Sequence, residues 1–168
     1  MLAAALTLNG FAMYAVVIAL VPLLTERGAS PTAAAWALGL GGAGQTLGRT
    51  LYASLARRTG VTTRTVALIA AGGATTAALA ITQGPHPLLL AIAAGMVRGN
   101  LTPLQATAVT DRWGTTHYGR LSGILGAPAS IAGALAPFAG AALATEVGGY
   151  SQLFALLAGA SLLASALA

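Results

Sequence analysis

Apolar residues run almost unbroken along this chain, and the interruptions carry the information. Six stretches of about twenty mostly apolar residues, the length a helix needs to cross ~30 Å of hydrocarbon, are separated by clusters of Gly, Pro and charged residues that end helices. The spacing predicts helices over 3–24, 33–55, 65–82, 88–110, 120–143 and 151–167. The breaks between them read TERGASP, ARRTGVTTR, QGPHP, DRWGTTHYG and TEVGGY. Runs of this length are too long for the strands of a membrane barrel, about ten residues each. In lipid every backbone group must be paired within the segment, which a helix does by itself. The expected fold is an all-α membrane protein of six transmembrane helices forming a single bundle.

Composition strengthens this reading. The 168 residues are 57% hydrophobic and 7% charged, with mean hydropathy +0.81. A soluble domain carries about a quarter charged residues, so too few are present here to cover a soluble surface. The net charge of +5 is not read as a nucleic-acid footprint, because the arginines gather at helix ends. Arg57, Arg58 and Arg64 follow the second segment, and Arg112 and Arg120 follow the fourth beside Asp111. The remaining loops hold Arg27 with Glu26, then His86, then Glu146. The positive-inside rule therefore predicts cytoplasmic loops after segments two and four, both termini cytoplasmic, and a multi-pass protein of the plasma or inner membrane. Without cysteine, disulfide and thiolate chemistry are excluded. The N-terminus has no basic signal-peptide region and enters an apolar helix at once. The last residues, SLLASALA, are still apolar. Both ends suggest a piece of a longer protein.

The first three segments echo the last three. ASLARRTG at 53–60 aligns with AALATEVG at 141–148, and the same 88-residue shift pairs Leu47 with Leu135, Ala67 with Ala155, Leu68 with Leu156 and Ala70 with Ala158. TERG at 25–28 echoes TDRWG at 110–114. A repeat unit with an odd number of spans must invert in the membrane, so these echoes predict a 3+3 inverted repeat.

ASLARRTGVTTR resembles the loop motif of the major facilitator superfamily, Gly-x-Leu-x-Asp-Arg-x-Gly-Arg-Arg. Ala53 stands for the first Gly, Arg57 for the Asp, Arg58 for the Arg and Gly60 for the second Gly. The acid is lost, as in the weaker copy of the motif between spans eight and nine. The stretch from Pro103 to Leu156 resembles the end of span ten through the start of span twelve. The resemblance covers essentially the whole chain. It implies the C-terminal six-helix half of such a transporter, spans seven to twelve. It further implies alternating access, with an N-terminal six-span half or a second copy as partner, a small-molecule solute such as an anion or a drug-like efflux substrate, and no cofactor. In that fold the third span of each repeat faces lipid, and the apolar runs of segments three and six carry no charged residue.

Polar residues at membrane depth are costly and normally face a cavity or the bundle interior. Arg98 lies roughly eleven residues from either end of segment four, some 15 Å from either surface at about 1.5 Å per residue, beyond the reach of a snorkelling side chain. Gly95 and Gly99 beside it leave room for a ligand or a neighbouring backbone. Asn100 and Gln105 follow on the same helix, with Asn9 and Tyr14 on segment one. Together these make Arg98 the leading candidate for binding an anionic or polar solute. Arg49 is shallower, about six residues from its helix end. Monocarboxylate- and oxalate-type relatives have a functional arginine in the corresponding span, and the monocarboxylate group adds an acid four residues earlier. That position here is Gln45, which argues against proton coupling through the pair. Arg57, Arg58, Gly60, Asp111 and Arg112 are candidate gating or loop-motif residues. Asp111 with Arg112, and Glu26 with Arg27, read as neighbouring charge pairs at helix ends. Gly39, Gly41, Gly42, Gly44 and Gly48 form a small-residue stripe suited to close helix packing.

Other functions fit less well. An intramembrane serine protease needs a Gly-x-Ser-Gly nucleophile and a His within a span. Ser122 precedes Gly123 but follows Arg120 and Leu121, and His86 and His117 lie in loops. No filter-like motif supports a channel. Neither histidine has partners for a metal site. A truncated, non-transporting gene product is the remaining alternative.

Overall fold

A computed structural model describes residues 1–83 and 86–168. The described residues are helical throughout and hold no strand: α1 (Leu2–Glu26), α2 (Pro31–Arg58), α3 (Val61–Ile81), α4 (Pro87–Thr107), α5 (Thr110–Trp113), α6 (Tyr118–Val147) and α7 (Tyr150–Ala166). Part of the QGPHP break lies outside the described residues. Four helices, α1, α3, α4 and α6, are long and apolar enough to cross a membrane. Glycines, Gln45 and three arginines dilute the apolar character of α2, and α7 is apolar but spans 17 residues.

Helices α1, α2 and α6 run slightly past their expected ends, to Glu26, Arg58 and Val147, and two further boundaries differ for physical reasons. The fourth segment was expected to run to residue 110, but α4 stops at Thr107. There the Ala108 N–H bonds the Gln105 carbonyl three residues back, which tightens the turn. The chain then restarts as the four-residue α5, ended by Gly114 at φ +71°. The third segment was expected to begin at 65, but α3 begins at Val61, directly after Gly60 at its N-cap. Arg64 therefore sits inside the first turn of a helix and not in a loop.

The packing is pairwise. α2 lies along α4, α1 along α6 and α3 along α7, while α1 also meets α7 and α3 also meets α4. The α2–α4 contact is backbone to backbone. A Cβ on Gly44, Gly48, Gly95 or Gly99 would overlap the carbonyls of Ile92, Met96, Gly41 and Gln45 respectively. The expected glycine stripe is thus split: Gly41, Gly44 and Gly48 are buried on this face, whereas Gly39 and Gly42 look onto open space. The main core gathers α1 residues Val16, Leu20, Leu23 and Leu24 with Leu79, Leu153, Phe154 and Leu157. Of the four helices long and apolar enough to cross a membrane, α6 is the least enclosed, with only 11% of its most apolar stretch buried.

Candidate functional site

Arg98 points inward because α4 turns its glycines toward α2. Its Nη2 lies against buried Gly41, where a Cβ would come within 3.3 Å of it. The side chain is 8% exposed, and Nε and Nη1 are buried with no hydrogen-bond partner among the described residues. Arg98 lines a cavity of about 20 Å³ together with Asn9 of α1, Thr75 and Thr76 of α3 and Ser161 of α7. Asn9 is 2% exposed, and its Nδ2 also lacks a partner.

The other expected members of the site lie elsewhere. Tyr14 and Gln105 line a separate cleft of about 300 Å³ between α1, the end of α4 and the start of α6, with Tyr118, Ser122 and Ser130. The ring of Tyr14 is held there by Gly133, where a Cβ would come within 2.7 Å of Cδ2. Asn100 is buried and turns back on its own helix: Nδ2 donates to the Met96 carbonyl at 2.9 Å, and Oδ1 has no partner. Gln45 is half-buried and Arg49 exposed, and their backbone passes over Gly99. Neither side chain lines the Arg98 cavity or the larger cleft. The expected single polar cluster therefore resolves into an inner Asn9–Arg98 pocket, an outer Tyr14–Gln105 cleft and an exposed Arg49.

The helix-end charges are paired differently from the sequence expectation. Asp111 bonds Arg64 and not its neighbour Arg112, with Arg64 Nη2 donating to Asp111 Oδ2 at 2.8 Å. Arg64 is 4% exposed, also donates to the Thr59 carbonyl at 3.1 Å, and stands 5.4 Å from the ring centre of Tyr52. Tyr52 in turn hydrogen-bonds Thr107, whose hydroxyl donates to Asp111. Arg112 Nη2 donates to Thr65 Oγ1 at 2.9 Å. Burial pulls the pKa of Arg112 below the ordinary arginine value, opposed in part by the charge of Asp111. Arg57 and Arg58 are exposed at the end of α2, and Gly60 serves as the N-cap of α3. The role of Arg64 was not legible in advance. As one more arginine in a basic loop, it carried no signal that it would be buried.

At the opposite end of α3, Arg27 and Glu26 do not pair with each other either. Arg27 donates to the carbonyls of Leu79, Ala80 and Thr82 and to Ser151 Oγ. Glu26 Oε2 accepts the Tyr150 N–H at 2.9 Å. The guanidinium therefore satisfies carbonyls at the C-terminus of α3 that no further helical turn can reach.

Compared with protein-family models, the chain matches over residues 1–168 the one described as Major Facilitator Superfamily. No curated protein matches it.

Proposed function

The chain belongs to the major facilitator superfamily, and from that premise we propose that it is one six-span, 3+3 inverted-repeat bundle of a secondary transporter, corresponding to the C-terminal half of the fold. The family is a multi-pass, α-helical membrane family that transports solutes and is not enzymatic. The observation that carries the inverted repeat is the matched pair of helix-end grips. At one end of α3, consecutive Asp111 and Arg112 hold consecutive Arg64 and Thr65 at the start of α3. At the other, consecutive Glu26 and Arg27 hold consecutive Tyr150 and Ser151 at the start of α7. Exchanging α1, α2 and α3 with α4, α6 and α7 turns one grip into the other. The same exchange converts the α1–α6 contact into α4–α2 and α1–α7 into α4–α3, and leaves α3–α7 unchanged.

Alternating access then works by rocking this bundle against a second one, either a linked N-terminal half or another copy, about a site between them. The two grips tie the repeats together at both faces, so the bundle moves as one body. The weakly enclosed α6 and the exposed side of α2 are the surfaces offered to the partner bundle. The cleft lined by Tyr14 and Gln105 has the volume of a small-molecule site, and Arg49 lies on the partner-facing side. Both termini and the turn between α2 and α3, flanked by Arg57, Arg58 and Arg64, are cytoplasmic.

The test is uptake or efflux of a solute panel by the protein in proteoliposomes. Tyr14→Ala and Gln105→Ala should each lower transport at least about tenfold, the loss of one well-made binding contact, with thermal stability little changed. Transport kinetics that match the wild type in both variants would sink the cleft as the solute site.

A further inference from the structure

The polar atoms around Arg98 are unbalanced in a specific way. Nε and Nη1 of Arg98 and Nδ2 of Asn9 are all hydrogen-bond donors, all buried, and all without an acceptor. Their residues line one small cavity. A guanidinium keeps its charge in any protein environment, so the pocket also lacks a negative charge. The acids of this chain cannot supply it. Asp111 is bound to Arg64, Glu26 to the Tyr150 N–H, and Glu146 lies exposed in the last turn of α6. The cavity is lined by α1, α3, α4 and α7 of this chain, with α2 behind Arg98.

Size narrows the missing acceptor. About 20 Å³ accommodates one water-sized sphere and excludes a carboxylate-bearing organic solute. A water would accept the N–H groups but leave the charge uncompensated in a low-dielectric interior. A monatomic anion does both. We propose that Arg98 and Asn9 hold a single halide ion, chloride in ordinary media, with the hydroxyl of Ser161 completing its surroundings. The ion sits inside this bundle, apart from the Tyr14–Gln105 cleft, and moves with the bundle whatever solute the cleft takes.

The experiment is a chloride titration of the full chain, purified in detergent with gluconate as the starting anion and ionic strength held constant. The readouts are the chlorine NMR linewidth and the thermal unfolding midpoint. The wild type should show saturable line broadening and a rising midpoint, neither reproduced by gluconate. Arg98→Met should abolish both, and Asn9→Leu, which keeps the buried charge, should weaken chloride binding several-fold. No saturable broadening in the wild type would overturn the proposal, as would equal broadening in Arg98→Met. If Arg98→Met does not fold, an Asn9→Leu protein with wild-type chloride affinity decides against it. Halide binding is read without any transport assay. Binding without transport would leave this site standing and remove the transport reading, and transport without binding would do the reverse.

Discussion

Arg64 and Asp111, 47 positions apart in sequence, meet at 2.8 Å across the start of α3 and the helix-end turn after α4. The arginine is almost wholly buried while the acid keeps contact with solvent. Breaking such a pair from the acid side leaves a buried guanidinium with only backbone carbonyls and the face of Tyr52. Asp111→Asn should therefore lower stability by about 1–3 kcal/mol, with Asp111→Glu recovering part of it. Thermal unfolding in detergent measures this, and an unshifted midpoint for the amide variant would show that the pair contributes nothing.

Arg27 makes its contribution through the shape of its head group. One planar fork reaches three carbonyls at the end of α3 and the Ser151 hydroxyl. A lysine ammonium is a point charge and cannot span that set. Arg27→Lys should keep the charge yet cost about 1–2 kcal/mol, and amide exchange should speed up at Leu79, Ala80 and Ile81. Full protection in the lysine variant would mean that charge alone is enough.

The α2–α4 seam predicts a sharp contrast between two glycines. A side chain on Gly99 meets the Gln45 carbonyl, whereas one on Gly42 meets nothing. Gly99→Leu should separate the helices and destabilise by at least the ~1–3 kcal/mol of overpacking. Gly42→Ala should be neutral, or stabilising by up to about 1 kcal/mol through helix propensity. Helical signal and elution volume of the purified variants, followed on heating, distinguish the two.

Orientation is testable because the chain has no cysteine of its own. Thr62 and Gln83 are exposed at opposite ends of α3. In intact cells an impermeant maleimide should label Gln83→Cys, and Thr62→Cys only after the membrane is opened. The opposite pattern would invert the positive-inside assignment, and labelling of both in intact cells would mean that α3 does not span.

How far the residues alone could be read follows from their chemistry. Arg98 was conspicuous because a charge in the middle of an apolar run has no local way to reach water. Its isolation from Gln105 and Tyr14 was not legible, since polar residues on two apolar helices do not announce which gap each one faces. The glycines show the same limit. Gly39, Gly41, Gly42, Gly44 and Gly48 look alike in sequence, yet only those turned toward α4 form the seam.

The sequence by itself determined that this chain is helical and built for a membrane. Backbone hydrogen bonds in lipid must close within each segment, so length and apolarity are local facts that decide the elements. Only the tertiary structure decided which charges meet: Arg64 with Asp111, Arg27 with the end of α3, and Arg98 with Nε and Nη1 finding no acceptor among the described residues. In helices apolar on every face, no periodic pattern marks the buried side. Partners for long polar side chains are then chosen by which backbones can approach closely, a property of helix pairs and not of any one segment.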